Sequence, residues 1–419
     1  MPSSRFTATA TAAMLALVAT AAPAVAKKAE AAPAAAPGGP DAKNISKGVR
    51  PLLMEAQKLE AAGDNAGALA QLRAAEAVGN LNPTDVFYVA QLKLGLGNRL
   101  KDNAVLEEGI KASVASDFLP ASEKPKYLGN LAAIALQRND YNGATQYMQQ
   151  ITALPTAKPE DFDTLGDLYA RQKQTPLAIA AFEKEIAAAT AAGKPASETA
   201  YQKRLQLAYD GKLIVPTQAA SMDLVKAYPT PVNWRNVLYI YREQAKVDDQ
   251  GNLDTLRLMQ TAGALAGERD YAEFTELLLA KGLPGEAKTV VADGIAKGML
   301  AAGKGHVGEY NKEIAAKIGP DRASLPGIDK EARNSAGAKV ATGQGDAYFG
   351  YGDYTKAAEM YRLALTKPGV DTALVNLRLG AALTRGGDKA GAATAFAAVQ
   401  SGTRAPLAQY WLAWLGRKA

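Results

Sequence analysis

The 419-residue sequence contains no cysteine and a single histidine, His306. Without cysteine there can be no disulfide, thiolate metal site, cysteine nucleophile or sulfur for lipid attachment, so stability has to come from packing. One histidine counts against zinc centres, Ser-His-Asp triads and histidine acid–base pairs. Aromatic residues make up only 7% of the chain. Beyond the N-terminal region no apolar run approaches the roughly 18 residues of a membrane helix. The formal net charge of +6 is mild and no basic residues gather into a stripe, so nucleic acid is not expected as a partner. What is abundant is alanine, within a hydrophobic fraction of 48%. That balance is ordinary for a helix-rich protein.

The first residues read as a leader. Arg5 is the only charge before Lys27, an apolar stretch follows, and it ends in Ala24-Val25-Ala26. A positive start, a short apolar segment and an A-x-A end predict a cleaved signal peptide over residues 1–26, hence a periplasmic or secreted protein. Residues 27–45 are rich in Ala, Pro and Gly without a period and read as a flexible linker. From there the chain is helix-like almost throughout, broken by short Gly, Pro and Asn clusters.

The breaks recur with a pattern. Gly352-Asp353 is followed by Ala357 and Tyr361, and Gly387-Asp388 by Ala392 and Phe396 at the same spacings. Gly63-Asp64 leads to Ala68 and Leu72, Asn139-Asp140 to Ala144 and Met148, and Gly282 to Ala287 and Val291. Glycine at such a break takes the left-handed position that ends a helix. The aspartate caps the next helix. The alanine lets two helix axes approach to within about 8–10 Å, and the large residue fills the groove between them.

The stretch PEDFDTLGDLYARQKQTPLAIAAFEKEI adds Phe162, Leu165, Gly166, Tyr169, Ala178 and Phe182. It resembles the tetratricopeptide repeat, whose pattern runs W-x2-L-G-x2-Y, then A-x3-F. The likeness covers roughly Ser46 to Thr403, with units starting near Ser46, Asp85, Lys124, Pro159, Ser197, Pro231, Glu268, Lys339 and Asp371. The resemblance implies an all-α fold, a right-handed superhelical solenoid of antiparallel helix pairs in which each pair touches mainly its neighbours. Repeats are expected over 46–299 and 339–403, an irregular helical spacer or one long helix over 300–338, and a capping helix over 404–419.

Several motifs invite a chemical reading. Gly303 to Gly308 matches G-x-G-x-x-G but lacks the preceding strand of a dinucleotide site, so it reads as a helix connection with His306 exposed in a loop. Arg257-Leu258-Met259-Gln260 is similar to the G-L-M-Q segment of lytic transglycosylases. The glycine is missing, and Glu243 is followed by Gln244 where Glu-Ser is needed. Leu258 and Met259 therefore read as helix core. Glu160, Asp161, Asp163 and Asp167 fail the calcium-loop pattern, and Glu160 and Asp161 fit a first helical turn. No cofactor, metal or catalytic residue is assigned.

Arg235, Tyr239 and Arg242 lie at i, i+4, i+7 and share one helix face, opposite Trp234, Val237, Leu238 and Tyr241. The resemblance implies that these three, with Asp163 and Asp167 of another unit, line a concave groove as a basic-aromatic and an acidic patch. Repeat domains that clamp the acidic tails of cytosolic chaperones use Lys and Asn there, so that partner is not expected. The function expected is a non-enzymatic scaffold taking a protein or peptide in the groove. The alternatives are a saccharide- or cell-wall-binding module and a degenerate peptidoglycan-active enzyme.

Overall fold

A computed structural model of the chain describes residues 39–303 and 305–417. The expected signal peptide and most of the expected linker lie outside them. The described residues hold α-helices, one short 3-10 turn at Ala42–Asn44 and no strand. Two compact units are present, Met1–Tyr127 and Leu128–Ala419.

In the first unit α1 (Arg50–Ala61) pairs with α2 (Asn65–Glu76) and α3 (Pro83–Leu100) with α4 (Asn103–Ala115). Packing here begins earlier than the composition suggests. Pro40 is buried and its carbonyl accepts from Tyr88 Oη at 2.8 Å, while Arg50 donates to the Ala42 carbonyl at 3.0 Å.

The next helix, α5 (Lys124–Gln137), begins just before the boundary between the units, and α6 (Tyr141–Thr152) follows it. Then come the pairs α7 (Pro159–Arg171) with α8 (Thr175–Ala191), and α9 (Glu198–Asp210) with α10 (Ile214–Ala227). They are followed by α11 (Pro231–Ala245) with α12 (Asp249–Thr261), and α13 (Gly267–Ala280) with α14 (Pro284–Ala296). After α15 (His306–Asn334) come α16 (Lys339–Gly350) with α17 (Tyr354–Leu365), α18 (Thr372–Arg385) with α19 (Lys389–Ala397), and α20 (Ala405–Leu415).

One turn is used in every pair. Two or three residues separate the partners, and one of them has positive φ: Gly63, Lys101, Asn139, Lys173, Lys212, Lys246, Gly282, Gly352 and Gly387. Turns this short force the helices antiparallel. Where Asp follows, it caps the second helix: Asp64, Asp140, Asp248 and Asp388 each accept from a backbone N–H three residues on at 2.8 Å. The four lysines hide the turn from a search for glycine.

The pairs close on a small residue of the first helix facing a large one of the second. A methyl group placed on Gly166 would sit 2.8 Å from the Phe182 ring, on Gly345 2.6 Å from Tyr361, and on Gly380 2.4 Å from Phe396. Each partner is sixteen residues on, and the alanine between, Ala178, Ala357 or Ala392, is fully buried. The pair α3–α4 has glycine on both sides: Gly97 on α3 meets the backbone of Leu106, and Gly109 on α4 packs against the backbone of α3 near Lys93.

Each pair touches mainly its neighbours, as expected, but the second unit adds contacts between helices far apart in sequence. There α12 packs against α18, and α10 against α20. Tyr241 on α11 donates to the Thr403 carbonyl at 2.9 Å, and Tyr410 of α20 stands edge-on to both Trp234 and Tyr241. The last helix does cover the last repeat, since Trp411 stacks on Phe396 at 5.3 Å. It also ties that end to α10 and α11. The apolar Tyr410 and Trp411 sit on one helix with two surfaces to bury, and a neighbour-only array would leave one of them wet. Within the 300–338 segment, α15 (His306–Asn334) runs as one long helix despite Pro320 and Pro326. Tyrosines hold it in place: Tyr310 donates to Glu276 at 2.6 Å and Tyr348 to Asp329 at 2.8 Å. His306 is exposed, as expected, but opens this helix and stacks on Tyr310 instead of lying in a loop.

The contact at Gly380 gives a direct test. Gly380→Ala should lower the free energy of urea unfolding by about 1–3 kcal/mol through overpacking. Adding Phe396→Leu should restore most of the loss, and an unchanged single variant would show that the contact is not tight.

Candidate partner-binding face

The first helices of the pairs α7, α9, α11 and α13 lie side by side and are joined by a ladder of polar bonds. Lys203 of α9 donates to Asp163 at 2.7 Å and to Asp167 at 2.9 Å on α7. Tyr209 of α9 donates to Glu243 of α11. Arg235 of α11 meets Asp270 of α13 with Nε at 3.0 Å and Nη2 at 3.1 Å, and Tyr239 Oη donates to the same carboxylate. Arg242 pairs with Glu273, which also accepts from Asn252 at 2.9 Å.

The structure therefore gives the basic-aromatic stripe a role within the fold. Arg235 and Arg242 flank the Tyr239 ring, at 4.6 and 5.3 Å from its centroid. Asp270 is fully buried and also accepts from the Ala266 N–H at 2.9 Å. Burial pushes its carboxyl up, but Arg235, Tyr239 and that N–H outweigh it and hold the group below the usual carboxylate range. Burial and the bond to Asp270 push the Tyr239 phenol up to about 12. The stripe residues remain partly exposed, and Arg235 keeps 34% of its side chain in solvent.

Asp163 and Asp167 keep 39% and 49% of their side chains exposed, so the acidic patch is open to solvent around Lys203. Behind it lies a group that the sequence reading missed. Glu185 of α8 is 6% exposed; its Oε1 accepts from Ser197 at 3.3 Å and its Oε2 has no partner. Burial, then Asp163, pushes its carboxyl up to about 7. Lys203 loses basicity through burial but regains more from its two aspartates, and ends above the ordinary lysine value.

Over the last pairs the same face is closed. Asp346 and Ala381 occupy the position just after the small residue, as Asp167 does on α7, and both are buried. Leu377, three before Gly380, matches Asp163 and is 1% exposed. Side chains of α12 reach both α16 and α18 here. Arg257 grips Glu286 with two bonds of 2.9 and 2.6 Å and reaches Asp346 at 3.3 Å. Arg378 of α18 meets Asp254 at 2.9 Å and Asp346 at 2.5 Å, and also Gln250. Tyr361 donates to Asp346 at 2.7 Å. Two arginines and three carboxylates are thus buried together, linking helices that lie far apart in sequence. Arg257 had drawn notice only through its neighbours Leu258 and Met259, which are fully buried core as expected. Glu243 is exposed, so it lacks the water-poor pocket that a glycosidic general acid requires. Among the described residues no group of three or more acidic or histidine side chains is arranged to hold a metal ion, and no helix is long and apolar enough to cross a membrane.

These geometries define the class: antiparallel helix pairs of the tetratricopeptide type, with a polar face along the first helices α7, α9, α11 and α13. No family model matches the chain, and no curated protein is detectably similar to it. Among solved structures it is similar to a tetratricopeptide repeat protein from Parabacteroides merdae, at 12% identity over 81% of this chain and 100% of that one, with a TM-score of 0.24. It is also similar to the C-terminal part of a repeat-containing protein from Cytophaga hutchinsonii, at 14% identity over 78% of this chain and 98% of that one, with a TM-score of 0.26. At these values the likenesses add nothing to what the helices themselves display.

Two outcomes test this description. Arg378→Met leaves Asp254 and Asp346 buried without their cation and should destabilise the protein by about 3–5 kcal/mol. Pairing it with Asp254→Leu should recover part of that loss in a double-mutant cycle; strict additivity would show that the two do not interact. The second concerns pH. The Glu185 carboxyl is raised from its ordinary 4.5 to about 7. Its proton is held more tightly in the folded state, so the stabilisation is complete below about pH 4.5 and fades as pH rises through 7. Glu185→Gln should flatten that decline, worth up to about 3 kcal/mol, in unfolding curves from pH 4.5 to 8. An unchanged profile would place the titration elsewhere.

Proposed function

We propose that the protein is a non-enzymatic scaffold that binds a protein or peptide partner along the face of α7, α9, α11 and α13. One observation carries this reading. That face is left partly open and polar at Asp163 and Asp167, while on its continuation over α16 and α18 the matching Asp346, Leu377 and Ala381 are buried and α12 bonds to Asp346 and Arg378. An uncovered ladder of charged and tyrosine side chains presents the residue types that anchor protein interfaces. Asp163, Asp167, Arg235, Tyr239 and Arg242 are its candidate contacts. The saccharide reading has less support. Among the described residues no Phe, Tyr or Trp is exposed, so the face offers no open aromatic platform for a sugar ring. The leader-like residues 1–26 support a periplasmic or secreted location in a bacterium.

Removing Arg235 would strip a buried carboxylate of its cation, so alanine scanning there would confuse folding with binding. A charge swap avoids this. Arg242→Glu with Glu273→Arg keeps the pair and reverses the local field. The immobilised full chain and the swap variant are incubated with envelope extract, and retained proteins are identified by mass spectrometry. A protein held by the wild type and lost by the folded swap variant is the expected result. Equal retention by both would move the interface off this face.

A further inference from the structure

The acidic end of the open face carries more negative charge than its internal cation can neutralise. Asp163 and Asp167 share one Lys203 ammonium, which lies 5.2 Å from the centre of the Phe182 ring. Glu185, three residues after Phe182 on α8, lies behind them within electrostatic reach of all three charges. It is more than nine-tenths buried, and its Oε2 has no hydrogen-bond partner. The groups facing it are Asp163 and Asp167 from α7, Lys203 from α9, and the Ser197 hydroxyl just before α9. With Glu185 ionised, three carboxylates stand against one ammonium. This excess sits in a chain whose formal net charge is +6. Diffuse attraction of the whole surface for polycations is therefore not expected, and any affinity for them must be local.

We infer that this end of the face is a seat for an arginine or lysine side chain of a basic partner segment, held by the half-exposed carboxylates of Asp163 and Asp167 with Glu185 supplying charge from behind. The inference rests on the scaffold reading above and names the chemistry of its partner. A guanidinium fits two half-exposed carboxylates one helical turn apart, because it can donate to both at once. Lys203 competes with the guest for the same oxygens. Because Glu185 ionises on the way to neutral pH, the seat should hold a cation more tightly at pH 8 than at pH 5.5.

The test uses the full chain and two fluorescein-labelled octapeptides, alternating Ala-Arg and alternating Ala-Glu, read by anisotropy. The expected result is binding of the arginine peptide alone, at least threefold tighter at pH 8 than at pH 5.5. Asp163→Asn with Asp167→Asn should weaken it tenfold or more. Glu185→Gln should abolish the pH dependence, Lys203→Met should tighten binding several-fold, and the remote Glu55→Gln should change nothing. Circular dichroism confirms the fold of each variant. Binding of both peptides alike, indifference to the aspartate variant, or displacement of the peptide by sub-millimolar Ca²⁺ would overturn the inference. If the arginine peptide fails to bind while the charge-swap variant still loses a captured protein, this inference falls and the scaffold reading stands.

Discussion

The whole array depends on how closely the two helices of a pair can approach. At Gly166, Gly345 and Gly380 the facing helix carries an aromatic ring where a methyl group would have to go. Helix axes at the close end of the usual 8–10 Å separation need such an absence of side chain. That approach, with the left-handed turn that makes it antiparallel, sets the direction of every first helix. Those directions place Asp163, Lys203, Arg235, Tyr239 and Asp270 where they can bond across pairs. The polar ladder is thus a consequence of the packing contact and not a separate design.

Closure of the second unit adds a constraint that local packing does not supply. A neighbour-only array would leave the first-helix face open along its length. Here α12 lies against α18, and the price is the burial of Arg257, Arg378, Asp254, Glu286 and Asp346 together. Such groups contribute little net stability over apolar replacements, but removing one partner is costly. Their effect is to fix which helices meet. The open part of the face is then confined to the stretch where the ladder partners are half-exposed.

Much of this was legible in the residues. The recurring Gly-Asp, the alanine and the large residue after it gave the helix pairs and nearly all of their starting points. The lysines at the left-handed position of four turns were not, because that conformation is expected of glycine or asparagine. The stripe on α11 was found by its spacing, yet its partners Asp270 and Glu273 lie on α13 and share no pattern with it. Glu185 gave no signal at all, since an acidic residue in an alanine-rich helix reads as a solvated one. The ionic cluster unites residues up to 124 positions apart, and no local period encodes such a distance.

Closure of the second unit is the central feature, and a chain without cysteine allows a clean measurement of it. Gln218 on α10 and Gln409 on α20 line one crevice of about 290 Å³. The variant Gln218→Cys/Gln409→Cys is treated with a short bifunctional thiol reagent, and the linked peptides are identified by mass spectrometry. Closure predicts an efficient intramolecular cross-link at protein concentrations too low for association. Absence of that link in a folded variant would describe an array whose C-terminal end does not return to α10, leaving the face over α16 and α18 open.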